Sequence, residues 1–418
     1  MKLLRVFGIL LVMATLSARA NETEVATLAQ DPSVARSLGW LSKNLNWITD
    51  QHVRLTEIPA PEFSEGPRAA AYKKLLEAAG LKVRIDGTGN VVGERVGTNQ
   101  DSIVLLVAHL DTVFPAGTDV RVKRIGKRLE GPGIADNGAG LAAILAVARA
   151  LEEGQVSTGA TIVFAGDVGE EGEGNLRGIR ALVDRYRTRL RAVIAVDGAA
   201  ADYVTTQALA SRRIEAIVTG PGGHSWSDFG APNPITALSR AIVRFSDSVA
   251  VPDSPRTSFN FGIIEGGTSV NSIPNRAVVK VDLRSEDEAQ LTRLEAALHE
   301  SVQFGITAEM SAAEKGSDPL QSDFKIIGVR PGGKLPDDSP LLAAITSVDT
   351  YLGNSSRRER SSTDANIPLS LGIPAIAIGG GGQGGGSHSL DEWCDSTDRL
   401  LGLKRLLLTT LLVARLQS

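Results

Sequence analysis

Two histidines and a set of carboxylates in this chain are of the types that hold divalent metal ions and activate water. His109 and Asp111 are two residues apart, and Asp136 sits in the glycine-rich run GPGIADNG at 131–138. Glu170 and Glu171 are adjacent, and Asp197 and His388 complete the group. Zinc accepts imidazole nitrogen and carboxylate oxygen, and two ions need a shared anionic ligand to offset their repulsion. Two imidazoles and three carboxylates carry enough negative charge for two divalent ions with a hydroxide between them. Asp111 is spaced to orient His109 from behind the metal. Glycines around Asp136 and before His388 let the backbone approach the ions closely.

The elements that must position these residues explain why the set is informative. Residues 102–108 (SIVLLVA) form a continuous apolar run, as a parallel strand buried on both faces requires. Residues 161–165, 192–196 and 373–378 have the same character, and 138–151 reads as a helix opening after glycines. Strands alternating with helices predict an α/β domain with a mainly parallel sheet. His109, Glu170, Glu171, Asp197 and His388 all follow such strands, and Asp136 lies just before the helix. Open α/β sheets build their sites beyond the carboxyl ends of their strands.

Between 211 and 332 the texture changes. Residues 214–219, 257–263, 277–283 and 324–329 read as shorter strands, and 291–302 as an amphipathic helix. This predicts a smaller α+β module inserted into the larger domain, which then comprises residues 21–210 and 333–418. His52 and His299 lie on polar helix-like stretches with no partners and read as ordinary residues, not ligands. The run Arg357-Arg358-Glu359-Arg360 reads as a solvated loop, and Cys394 as a small packed side chain.

Residues 1–20 read as a secretory signal: Lys2 and Arg5 precede an apolar stretch, and Ala18-Arg19-Ala20 fits a cleavage site. No later segment reads as a transmembrane helix, so the expected product is soluble, periplasmic or secreted, without a stable membrane anchor. Loss of 1–20 changes 44 basic and 48 acidic residues to 41 and 48, a net charge of −7. That balance argues against nucleic acid as a partner. Cys394 is the only cysteine, so no internal disulfide can form.

At these residues the chain resembles the co-catalytic dizinc exopeptidase family that includes peptidase T, glutamate carboxypeptidase and aminoacylase. The matching segments are HLDTVF (109–114), GPGIADNGAG (131–140), DVGEEGEGNLRG (167–178), AVDG (195–198), GPGGHSW (220–226), NSIPN (271–275), VDLRS (281–285), SSTDAN (361–366) and GGSHSLDEW (385–393). The resemblance implies a zinc-binding α/β domain interrupted at 211–332 by a ferredoxin-like lid that often mediates homodimers. It implies one zinc on His109, Asp136 and Asp197 and a second on Asp136, Glu171 and His388, with cobalt or manganese as substitutes. Glu170 would be the general base, taking a proton from the water between the ions and returning it to the leaving amine. A cis peptide would join Asp136 to Asn137. His224 would stabilise the oxyanion, Arg284 would grip a substrate carboxylate and Asn271 would add a polar contact. Asp at 197 tilts the expected substrate towards short peptides cut by an aminopeptidase or tripeptidase. The alternatives are a carboxypeptidase, an N-acyl amino acid amidohydrolase, or a non-catalytic peptide-binding protein.

Overall fold

The structure, a computed structural model, describes residues 23–252 and 254–415; the signal-like segment 1–20 lies outside them. The apolar runs assemble as the parallel centre of a large sheet. Ala160–Asp167, Asn99–His109, Leu190–Val196 and Ala375–Ile378 lie side by side in that order, all parallel. Ala160–Asp167 is buried at every position and Ala375–Ile378 likewise, which is why these strands carry no alternation. Antiparallel strands close both sides: Val91–Arg95 and Lys82–Ile85 on one, Tyr203–Ala208 on the other.

The helix Gly140–Gly154 is apolar nearly all round because it packs within the core beside this sheet. With the turn before it, the stretch Ile134–Gly154 is long and apolar enough to cross a membrane, contrary to the sequence reading. Most of it is nevertheless buried, and it serves as a core helix. The helices Pro340–Leu352 and Arg399–Ala414 are joined by a buried bidentate pair: Arg405 Nε and Nη2 donate to Asp349 Oδ1 and Oδ2 at 2.6 and 2.9 Å.

The charged run at 357–360 is a strand and not a loop. Arg357–Ser361 pairs in parallel with Tyr203–Ala208, so backbone bonding absorbs the segment while most of its charged side chains face out. Charge patterning reports only the exposed face of such an edge strand.

Residues Leu209–Gly332 form a second compact unit. Its elements run strand Ala210–Thr219, helix Pro234–Ser248, strands Thr257–Gly266 and Arg276–Ser285, helix Glu288–Ala312 and strand Gln321–Arg330. The sheet order places the second of these four strands first, then the third, first and fourth, all antiparallel. This is the ferredoxin-like arrangement. Both helices contribute to its core, with Phe245, Leu238, Leu298 and Val302 buried alongside Ile214, Val279 and Leu283 of the strands.

Candidate metal centre and active site

The parallel strands deliver the donors to one edge of the sheet. His109 ends Asn99–His109 and stands in register with Asp167, which ends Ala160–Asp167. Asp197 follows Val196 directly, and the glycine-rich segment after Ile378 carries His388 at φ 66°. Asp136 arrives from the turn before the helix Gly140–Gly154, and its peptide bond to Asn137 is cis.

Asp136 stands between the two histidines. Its Oδ1 lies 3.0 Å from His109 Nε2, and its Oδ2 lies 3.3 Å from His388 Nε2. His109 Nε2 is also 3.8 Å from Asp197 Oδ1, and His388 Nε2 is 3.0 Å from Glu171 Oε1. His109, Asp136 and Glu171 each offer a donor atom within 4.8 Å of the others.

Burial alone would push the His109 imidazole down, but its contacts with Asp136 and Asp197 outweigh this and hold it well above its ordinary range. Hydrogen bonds to Asp136 and Glu171 lift His388 to about 10. Three carboxylates around two imidazoles make a surplus of negative charge that favours positive occupants. A divalent ion displaces the imidazole protons and takes their place against the carboxylates, so this donor set fits metal.

The loops that carry the donors are held by two buried carboxylates. Asp111 Oδ1 accepts from Gly169 N at 2.8 Å and Glu170 N at 3.2 Å, and its Oδ2 accepts from Glu171 N at 2.8 Å. This corrects the role read from spacing. The atom beside His109 Nδ1 is the Asp111 carbonyl oxygen at 3.1 Å, while the carboxylate is 3.9 Å away. Three amides have claimed the carboxylate, so the main chain orients the histidine.

The second carboxylate, Glu392, does not stand out in the sequence. It is fully buried, accepting from Gly133 N at 2.8 Å and from Ala135 N and Asp136 N at 2.7 Å each. The one available signal is its position four residues after His388 in GGSHSLDEW.

His52 is also corrected. It is fully buried, and it bonds Ile134 O through Nε2 and Arg399 Nη2 through Nδ1. Arginine only donates, so Nδ1 accepts and Nε2–H donates to the carbonyl two residues before Asp136. His299 remains exposed, but its ring stacks on Phe324 with centroids 3.7 Å apart. Cys394 is buried as a small packed side chain.

Asn137 ties the Asp136 turn to the neighbouring strand by donating to Val196 O at 2.8 Å. The Tyr203 hydroxyl donates to the Asp197 carbonyl. Glu170, the expected base, is buried, its amide fixed by Asp111. Nearby, burial pushes the Asp167 carboxyl to about 7 and Asp364 well above its ordinary range. Both Asp167 oxygens and Asp364 Oδ1 are buried without a hydrogen-bond partner among the described residues, which favours the protonated, uncharged form of these carboxyls.

The remaining expected residues lie in the second unit. His224, on a short strand paired with Ser272–Ile273, is exposed and accepts at Nδ1 from Trp226 N and Ser227 N. Its Nε2 is therefore the protonated nitrogen when the ring is neutral. Asn271 is exposed, and its Oδ1 accepts from Ser269 Oγ at 2.5 Å. Arg284 Nε donates to Asp282 Oδ2 at 2.5 Å.

A sequence profile of peptidase family M20/M25/M40 matches residues 105–412. The chain belongs to this family. Peptidase family M20/M25/M40 relatives include a Mycobacterium tuberculosis protein whose name assigns it to the succinyl-diaminopimelate desuccinylases. It is 27% identical over 333 residues, covering 78% of this chain and 88% of the relative. Carboxypeptidase G2 of a Pseudomonas species is 28% identical over 217 residues, 50% of this chain and 49% of that one. Among solved structures, a Staphylococcus aureus tripeptidase superposes with a TM-score of 0.72 at 22% identity, covering 89% of this chain and 99% of that chain. Human carnosine dipeptidase 1 gives 0.72 at 13% identity, covering 91% and 99%. The structural matches show a shared fold, and the family places this chain among metal-dependent hydrolases.

Proposed function

We propose that this chain is an exported dizinc exopeptidase that hydrolyses amide bonds in short peptides, with an aminopeptidase or tripeptidase preference. The observation that carries the reading is Asp136, whose two oxygens stand 3.0 and 3.3 Å from the nitrogens of His109 and His388. In this reading His109, Asp136 and Asp197 hold one zinc, and Asp136, Glu171 and His388 hold the other. Bound there, the ions polarise the scissile carbonyl and make water acidic near neutral pH.

The chain's own residues do the rest. Asp111 fixes the Glu170 backbone, so the carboxylate meets the attacking water in one geometry. Glu170 accepts the water's proton and delivers it to the leaving nitrogen. His224 and Arg284 take the oxyanion and carboxylate roles that the resemblance implies, each testable by its alanine variant.

Glu170→Ala is expected to retain both metals by elemental analysis while turnover drops by about 10²–10⁴-fold; full activity in that variant overturns the assignment. Rates on free-amine and N-blocked tripeptides decide the substrate class. The second reading, a carboxypeptidase or N-acyl amino acid amidohydrolase, is favoured by the desuccinylase and carboxypeptidase names of the sequence relatives. It takes precedence if blocking the amine raises the rate. Export is tested by fractionating cells and sequencing the mature N-terminus, expected to start at Asn21.

A further inference from the structure

Phe63 has a backbone that bulky residues avoid and a side chain that apolar residues avoid showing. Its φ is 62°, in the left-handed region, and 64% of it is exposed. A packing role accounts for neither feature, because the ring is not in the core.

The loop around Phe63 is fastened to both sides of the metal centre. Thr112 N, three residues past His109, donates to Ala60 O at 2.9 Å, and Pro61 bridges to Thr112. Glu62 Oε2 accepts from Glu173 N at 2.8 Å, two residues past Glu171. The Glu62 carboxyl is raised by its burial and by the facing charges of Asp111 and Glu171. Phe63 N donates to Glu65 Oε1 at 3.0 Å, and buried Glu65 pairs with Arg177. The Arg177 guanidinium lies 4.6 Å from the Phe63 ring centroid. It also packs against Gly169, the residue before Glu170, so closely that a methyl group there would overlap it. The ring therefore rests on an arginine seated against the Glu170 loop, with much of its surface left to solvent.

Strained backbone conformations persist where the surroundings over-determine them, and they cluster at ligand-contacting positions. A ring already held on a guanidinium loses little freedom when a ligand covers its open face. We infer that Phe63 is a specificity-determining residue whose exposed ring contacts the substrate side chain flanking the scissile amide. The favoured substrates then carry an apolar or aromatic residue at that position. This rests on the peptide-hydrolase reading above.

The test uses the zinc-loaded mature enzyme with Gly-Gly-Gly, Leu-Gly-Gly and Gly-Leu-Gly as substrates. Phe63→Ala and Phe63→Gly are expected to raise KM for at least one leucine peptide roughly fivefold to tenfold, because no ring then shields the leucine side chain from water. Their kcat on that peptide should stay within about twofold, and KM for Gly-Gly-Gly should not move. Phe63→Tyr keeps the ring face and should restore the leucine KM. The glycine variant adopts φ 62° without strain, which guards against reading a misfolded loop as altered specificity. Unchanged leucine KM in both variants overturns the inference, as does an equal KM rise for all three peptides. If the wild type cleaves none of the three peptides, the functional reading falls, and this inference falls with it.

Discussion

Asp111 and Glu392 perform the same service for different loops. Each is a buried carboxylate that grips three backbone amides, Asp111 those of 169–171 and Glu392 those of 133, 135 and 136. The donors Glu171 and Asp136 are thus set by main-chain geometry as well as by their own rotamers. Glu392→Gln replaces one acceptor oxygen with an amino group facing a backbone N–H. Metal affinity is expected to fall roughly 10–100-fold, the scale of outer-shell support. Competition with a chromogenic chelator measures it, and wild-type affinity in that variant would mean that Glu392 does not position the Asp136 turn. Residue type and strand-end position pointed to the candidate donors. The use of a carboxylate could not be read this way: Asp111 is two residues from His109 in sequence, yet its oxygens serve a loop 58 to 60 residues away.

At the scale of elements, the helix Leu45–Thr56 reaches the metal turn through His52, which burial holds down to about 3. The unfolded imidazole binds its proton near pH 6.5, while the folded one stays neutral until about pH 3. Below pH 6.5 the unfolded state therefore holds one proton more, and stability drops as pH falls. The contribution from His52 is about 1.4 kcal/mol per pH unit within that window. Urea midpoints of metal-free protein at about pH 7 and about pH 5, on either side of the free imidazole's midpoint, should show a larger loss for the wild type than for His52→Gln; equal losses would contradict the buried neutral ring. In the second unit, Gly305 lets the helices Glu288–Ala312 and Pro234–Ser248 approach closely, since a Cβ there would stand 2.2 Å from Ala237 O. Gly305→Ala should cost about 1–3 kcal/mol in chemical denaturation. The continuous apolar strands were readable from sequence because burial on both faces leaves an unbroken run. The strand Arg357–Ser361 was not, because its pairing with Tyr203–Ala208 is a backbone matter and its side chains are charged.

For the whole molecule, a ligand bound only by the folded state stabilises it by mass action. Zinc at about a hundred times its dissociation constant should add about 2.7 kcal/mol, so removal by a chelator should lower Tm and readdition should restore it. A Tm indifferent to zinc would mean that the cluster does not hold metal. The homodimer implied by the resemblance is a matter for sedimentation. In the second unit the edge strand Thr257–Gly266 exposes Ile263 and Ile264, and Val270 after it is fully exposed. The sequence by itself determined the class of chemistry and the α/β frame, because donor types, strand-end positions and hydrophobic periodicity are properties of short segments. Only the tertiary structure decided which Asp136 oxygen faces which histidine, that His52 is a buried support, and that Glu392 holds an amide 256 residues away. Those facts depend on how distant segments meet, and local patterning carries no record of the partner.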